Sequence, residues 1–124
     1  PLDLEILTDL PAFQLIFRNL LSNALKFSNE ESSITLSAYK DDFHKVRIDV
    51  ADKGIGMTTE VMEGVFSASN TTHGTNNEIG NGLGLILVKE VVALNSGSIS
   101  VQSTPNQGTT FSVFLPENVL EYAT

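Results

Sequence analysis

The chain has 124 residues, of which 41% are hydrophobic, and this suits one domain (residues 1–124) with one core. Its net charge of −8 argues against a nucleic-acid-binding surface, because phosphate backbones require clustered lysine and arginine. The absence of cysteine excludes disulfides and thiolate metal sites, and no apolar run approaches the about 20 residues of a membrane span.

The first half of the chain predicts one helix between two regions of strand. "LDLEIL" (residues 2–7) alternates apolar and acidic residues, which predicts a strand. Asp9 and Pro11 predict the start of a helix, which apolar residues at helical spacing continue to Phe27. Residues 32–39 and 45–52 alternate strictly and predict a hairpin.

The second half of the chain predicts two helices followed by a final pair of strands. The predicted segments are a short helix at about 58–66, a loop at 67–80, a helix at 83–94, strands at 98–103 and 109–116, and a loose tail at about 117–124. Adjacent strand pairs do not fit a βαβ repeat. We therefore expect an α/β (α+β) two-layer sandwich, with helices on one face of a mixed, mainly antiparallel sheet.

A polar stripe runs along the first predicted helix. Asn19, Asn23 and Lys26 are spaced i, i+4, i+7, so they lie side by side along the edge of the apolar stripe. An asparagine amide oxygen suits Mg²⁺ when phosphates supply the negative ligands, and a lysine one turn on can reach a phosphate. The alternative is a polar helix boundary without a ligand, and the stripe alone does not decide between them.

A carboxylate stands at the inward end of a predicted strand. Asp52 has the same parity as the apolar residues of the strand at 45–52, and burying it costs stability unless a donor binds it. Gly54 and Gly56 follow and allow a tight turn with close approach of another group. This arrangement suits an exocyclic amine such as that of adenine. The alternative is a turn in which Asp52 binds its own backbone.

Three alternating glycines, in "GNGLGL", precede the third predicted helix. Gly80, Gly82 and Gly84 match neither the dinucleotide fingerprint nor the Walker loop. Exposed N–H groups at a helix N-terminus nevertheless attract anions, and glycines let phosphate oxygens approach. The segment at 67–80, rich in Asn, Thr, Ser and Gly, is typical of a mobile lid. The alternative is a helix entry that needs small residues for packing.

Five segments together resemble a known family over essentially the whole chain. In order, "NLLSNALKF", "DKGIGM", "VFSAS", "NGLGL" and "GTTF" look like the N, G1, F, G2 and G3 boxes of the catalytic ATP-binding domain of sensor histidine kinases. This domain belongs to the GHKL superfamily, which includes DNA gyrase and mismatch-repair ATPases. The resemblance implies the Bergerat α/β sandwich, in agreement with the predicted order of elements.

The resemblance also implies ATP and Mg²⁺ as cofactors and assigns roles to individual residues. Asp52 is expected to receive the adenine amine, Asn23 to bind Mg²⁺, and Asn19 and Lys26 to act at the phosphates as catalytic residues. The other expected nucleotide-binding residues are Gly54, Gly56, Gly80, Gly82, Leu83, Gly84 and Thr109 or Thr110, one of these threonines holding a water near the adenine.

One position bears on the reaction type. Hydrolysing members of the superfamily carry a Glu four residues before the Mg²⁺-binding Asn, whereas this chain has Asn19, and an amide cannot act as a general base. The resemblance therefore implies transfer of the γ-phosphoryl group to a histidine on a separate dimerisation domain, and from there to a response regulator. The alternatives are a non-catalytic nucleotide-binding module and, disfavoured by Asn19, a GHKL-type ATPase.

The segment expected to form the lid departs from the family pattern. No lysine or arginine lies between Lys53 and Lys89, and His73 and Ile79 stand where cations are common in relatives. The expected lid offers the phosphates backbone N–H groups and hydroxyls but no permanent charge, which keeps the non-catalytic alternative open. Neither His44 nor His73 is expected to be the phosphoacceptor. We expect a monomeric cytoplasmic domain of a larger protein, without nucleic-acid or direct membrane contact.

Overall fold

The computed structural model describes residues 6, 8–28, 32–41, 44–66 and 79–117, with the backbone alone for 79–83. In chain order the elements are helix α1 (Leu10–Phe27), strands β1 (Thr35–Lys40) and β2 (Lys45–Asp52), helices α2 (Thr59–Glu63) and α3 (Ile79–Leu94), and strands β3 (Ser98–Thr104) and β4 (Gly108–Pro116). No helix in these described ranges is long and apolar enough to cross a membrane.

The four described strands form one sheet in the order β1-β2-β4-β3, and every neighbouring pair is antiparallel. Alternate apolar residues of the strands pack against α1 and α3 on one face of this sheet, as the two-layer sandwich predicts. A mixed, mainly antiparallel sheet was expected, and the described strands form two antiparallel hairpins, β1–β2 and β3–β4, joined through β2 and β4. The core side chains that are less than 2% exposed are Ile16, Leu20, Val46, Val50, Val88, Val92, Val113 and Leu115.

Helix α1 begins where the sequence predicts. The Asp9 carboxylate accepts a hydrogen bond from the Ala12 N–H at 3.1 Å, and a proline lies in the first turn. The Asn95 side-chain oxygen, just beyond α3, accepts from the Thr8 hydroxyl at 3.2 Å and from the Asp9 N–H at 3.3 Å. The start of α1 is thereby held against the end of α3.

Helix α3 begins earlier than predicted. It starts at Ile79 instead of 83, so its first two turns contain Gly80, Gly82 and Gly84, and the predicted lid at 67–80 overlaps it at its last two residues. Glycine costs about 1 kcal/mol relative to alanine within a helix, a penalty that burial of residues such as Val88 can offset. Residues 67–78, which carry the rest of the lid prediction, lie outside the described residues.

The two ends of the chain meet at one described bridge. Ile6 pairs with Glu117 in an isolated antiparallel bridge, while the rest of the predicted strand at 2–7 lies outside the described residues. Glu117 donates its N–H to the His44 carbonyl at 2.8 Å and accepts the Lys40 ammonium at 2.7 Å, which lowers the pKa of the Glu117 carboxyl. The tail expected to be loose from 117 onward is therefore held at Glu117, and 118–124 lie outside the described residues.

The C-terminal end of α1 is joined to the turn that follows β2. The Ile55 N–H donates to the Phe27 carbonyl at 3.2 Å, and Ser28 and Gly54 form an isolated antiparallel bridge. A Cβ atom at position 54 would overlap the Phe27 carbonyl oxygen. Only glycine permits this approach, so the "DKG" turn lies directly against the end of the helix.

Helices α1 and α3 are antiparallel neighbours, and a second glycine marks their contact. A Cβ at Gly84 would lie 2.7 Å from the Asn19 side-chain oxygen, while Asp9 meets Asn95 at the other end. The two contacts are ten residues apart along α1, from Asp9 to Asn19, and eleven residues apart along α3, from Gly84 to Asn95. The two helices therefore rise by similar lengths between the contacts. Continued in this register, the first turn of α3 lies beside Asn23.

Substitution of the two glycines should therefore have different consequences. Gly54→Ala should lower the free energy of unfolding by about 1–3 kcal/mol, because a backbone carbonyl has to move. Gly84→Ala should leave stability unchanged or raise it, because only the far end of the Asn19 side chain has to give way and alanine favours the helix. Urea unfolding measures both variants, and equal midpoints for Gly54→Ala and wild type would contradict the described contact.

Candidate functional site

Three polar side chains form a row across one end of the sheet. Asp52 in β2 is the register partner of Thr109 in β4, and Thr109 is the partner of Ser103 in β3. Paired residues point to the same side of a sheet, and the parity of Val50 and Phe111 shows that this side is the core face. The predicted inward position of Asp52 is confirmed.

The two oxygens of the Asp52 carboxylate have different surroundings. Oδ1 accepts a hydrogen bond from the Gly54 N–H at 2.8 Å, so the alternative of a turn that binds its own backbone is also correct. Oδ2 has no donor among the described residues. Because a carboxylate is an acceptor, this second oxygen suits an N–H donor from a ligand, such as an exocyclic amine.

Ser103, which the sequence interpretation did not single out, connects the two turns beside Asp52. Its hydroxyl oxygen accepts from the Met57 N–H at 2.8 Å, donates to the Gly108 carbonyl at 2.9 Å and lies 2.8 Å from the Thr109 hydroxyl. The Asn106 N–H adds a bond to the Ile55 carbonyl at 2.6 Å. The parity of the strand at 98–103, which puts position 103 on the apolar face, was the available signal.

Of the two threonines predicted at the site, only one lies beside Asp52. Thr109 is 8% exposed and faces the core side, whereas Thr110 pairs with Ala51 and points to the opposite face of the sheet. The strict alternation of a strand makes this outcome inevitable once Asp52 is paired with Thr109. Thr110 therefore does not join the site.

The polar stripe of α1 follows the predicted arrangement. Asn23 is 8% exposed, and no described residue hydrogen-bonds its side chain. Asn19, one turn earlier, donates its amide to the Leu15 carbonyl at 2.8 Å and turns its oxygen towards Gly84. Lys26 is exposed in the last turn. Asn23 is not among the residues with a fully buried, unpartnered polar atom, so its amide still reaches solvent and is open to a ligand or metal.

The first turn of α3 supplies backbone donors at this end of the site. The first N–H groups of a helix have no partner within the helix and carry the positive end of its dipole. Gly80 and Gly82 lie in this turn, and Gly84, one turn on, faces Asn19. The side chain of Leu83 lies outside what the structure describes. The glycines leave the backbone open to the approach of an anion.

The charged clusters of the described residues lie away from this site. The Arg47 guanidinium binds the Asp49 carboxylate at 2.9 and 3.0 Å on the outer face of the sheet, and this pairing raises the pKa of Arg47. The described residues contain no group of three or more His, Cys, Asp or Glu side chains that could hold a metal ion. A bound molecule such as a nucleotide could supply negative ligands to a cation at Asn23, because Mg²⁺ commonly binds together with phosphates.

Comparison with known proteins agrees with this geometry. Residues 8–119 match the family model described as histidine kinase-, DNA gyrase B- and HSP90-like ATPase. The chain is 37% identical over 114 residues to the sensor protein EvgS of Escherichia coli, covering 90% of this chain and 10% of that protein. It is 36% identical over 107 residues to the circadian input-output histidine kinase CikA of Synechococcus elongatus, covering 85% of this chain and 14% of that protein.

A solved structure has the same fold. The crystal structure of full-length ShkA in complex with AMPPNP superimposes with a TM-score of 0.77 at 32% identity, covering 90% of this chain and 23% of that chain. The chain thus spans a small part of the length of these relatives. The family model covers most of the sequence, and the fold agrees with it. The chain therefore belongs to the family of histidine kinase-, DNA gyrase B- and HSP90-like ATPases.

Proposed function

We propose that this chain is the catalytic domain of a sensor histidine kinase, which binds Mg-ATP and donates the γ-phosphoryl group to a histidine on a separate dimerisation domain. The observation that carries the proposal is Asn23, which is nearly buried, has no described partner and lies beside the start of α3. The nucleotide analogue in the ShkA structure and the sensor-kinase names of the relatives support the same function.

The base end of the nucleotide lies at Asp52 in this proposal. The free carboxylate oxygen accepts the adenine amine, and Thr109 beside it holds a water that contacts the ring. Gly54 keeps the turn close to the end of α1, and Gly56 keeps it close to Thr104, at the turn between β3 and β4. Guanine carries a carbonyl where adenine carries the amine, and a carbonyl facing Asp52 would set two acceptors against each other.

The phosphate end lies between α1 and the first turn of α3. Asn23 would hold Mg²⁺ through its amide oxygen, and Mg²⁺ would neutralise charge on the phosphates. Lys26 contributes a positive charge, and the backbone N–H groups around Gly80, Gly82 and Gly84 orient the phosphate oxygens. Leu83 lies in the same turn. The described residues thus supply orientation and charge, which is most of what phosphoryl transfer requires.

Asn19 favours transfer over hydrolysis. Its amide nitrogen donates to the Leu15 carbonyl and its oxygen lies towards Gly84, and an amide takes no proton at neutral pH. Asn19 therefore positions the phosphate-binding helix without activating water. The acceptor is a histidine of another domain of a cytoplasmic or membrane-anchored parent, and a response regulator takes the phosphoryl group from that histidine.

Replacing Asp52 tests the base end. Asp52→Ala should weaken ATP binding by about 1–3 kcal/mol, because a hydrogen bond to a charged group is lost, and wild type should prefer ATP over GTP. Calorimetric titration with both nucleotides measures the change. Asp49→Ala, on the same strand but the opposite face, serves as the control and should retain ATP affinity. Equal affinities of wild type for ATP and GTP would count against this role of Asp52.

Replacing Asn23 tests the metal position. Asn23→Ala should remove most of the Mg²⁺-dependent part of ATP affinity while the chain remains folded, because the side chain bonds no described residue. Titration of ATP with and without Mg²⁺, together with a thermal unfolding curve, separates the two effects. Gln14→Ala, which removes an exposed amide from the same helix, should behave as wild type. Asn23 is not the ligand if wild type and variant depend equally on magnesium.

The reaction itself tests the proposed function. Incubated alone with γ-labelled Mg-ATP, the chain should neither retain label nor release phosphate efficiently, because it lacks an acceptor histidine and a carboxylate at position 19. Mixed with the histidine-bearing helices of its parent, it should transfer label to an acid-labile, base-stable phosphohistidine. Rapid phosphate release by the chain alone would favour the ATPase function. Binding of ATP without transfer to the helices would favour a non-catalytic module, in line with the absence of cations between Lys53 and Lys89.

A further inference from the structure

Ser28 carries an unusual hydroxyl. Among the described residues its Oγ is the one buried side-chain polar atom without a hydrogen-bond partner. Ser28 ends helix α1 through its backbone, whose N–H donates to the Ala24 carbonyl at 3.0 Å. An alanine would make the same backbone bond, so the hydroxyl has no role in ending the helix. Such a group lowers stability relative to an apolar one, which points to a use outside the fold.

The position of Ser28 suggests what that use is. Ser28 bridges Gly54, whose N–H binds the Asp52 carboxylate, so Ser28 borders the turn at the base end of the proposed nucleotide site. It follows Asn23 by five residues on α1, about 7.5 Å along the helix axis. The bridge to Gly54 places Ser28 nearer to the Asp52 turn than to the proposed metal position at Asn23.

The hydroxyl has other rotamers open to it. The residue as a whole is half-buried although Oγ itself is buried, and the single χ1 angle gives Oγ two further staggered positions. The buried rotamer forfeits a hydrogen bond, and a ligand that offers one favours one of the other rotamers.

We propose that the Ser28 hydroxyl is a further nucleotide-binding group, which turns toward the purine nucleoside and hydrogen-bonds it directly or through one ordered water. This inference rests on the proposed function and adds a second polar contact at the base end, beside Asp52. Because the contact is made to the nucleoside, it contributes equally to the binding of ATP, ADP and adenosine.

The test compares these three ligands on Ser28→Ala by calorimetric or NMR titration. Ser28→Ala should weaken all three by the same factor, about three- to tenfold, as expected for one neutral hydrogen bond. Its urea midpoint should not fall, because the lost hydroxyl makes no bond within the chain. Ser28→Thr, which keeps the hydroxyl, should retain affinity. Ser22→Ala, at an exposed serine of the same helix, is the matched control and should behave as wild type.

Three results would overturn the inference. Unchanged affinity of Ser28→Ala would show that the hydroxyl does not contact the ligand, and a loss confined to ATP and ADP would place it at the phosphates. A fall in the urea midpoint together with equal loss in Ser28→Thr would show a structural role. Failure of the wild-type chain to bind any of the three ligands would instead reject the proposed function. If wild type binds nucleotide and Ser28→Ala binds it equally well, only the role of Ser28 is rejected.

Discussion

The site depends on the hydrogen bond between the Ile55 N–H and the Phe27 carbonyl, at 3.2 Å, which fixes the end of α1 against the turn after β2. This bond requires glycine at position 54, because any side chain there would overlap the carbonyl. As a result, the sheet residue Asp52 and the helix residue Asn23 are held in one arrangement, although 28 residues of chain separate them. In the proposed function, this arrangement brings the carboxylate for the base and the helix for the phosphates into one site.

The contact between α1 and α3 completes this arrangement from the other side. Gly84 lies against Asn19, and the bonds of Asn95 to Thr8 and Asp9 hold the far ends together. Two contacts of this kind fix the register of an antiparallel helix pair between Gly84 and Asn95. Gly84 thus allows close packing of the helices, and in the proposed function the glycines also give the phosphates access to backbone N–H groups.

Much of this could be predicted from local patterns. The start of α1, the hairpin of β1 and β2, and the inward position of Asp52 follow from capping and from alternation, which are properties of neighbouring residues. The predicted start of α3 was wrong because glycines usually mark the ends of helices. In this chain, packing along the rest of α3 outweighs the low helix propensity of the glycines. The sequence alone could not show which of Thr109 and Thr110 lies on the same face as Asp52, because this depends on the register between distant strands. For the same reason it could not show that Ser103 and Ser28 lie close to the turn after Asp52.

The central claim is that a divalent cation binds at Asn23 together with a nucleotide. Mn²⁺, which takes similar oxygen ligands, broadens NMR signals according to their distance from the ion. With ATP present, small amounts of Mn²⁺ should broaden the side-chain amide signals of Asn23 and Asn19 most. The backbone amide of Lys45, about 23 Å from Asp52 at the other end of β2, should change least. Strong broadening at Lys45 with Asn23 unaffected would contradict the account.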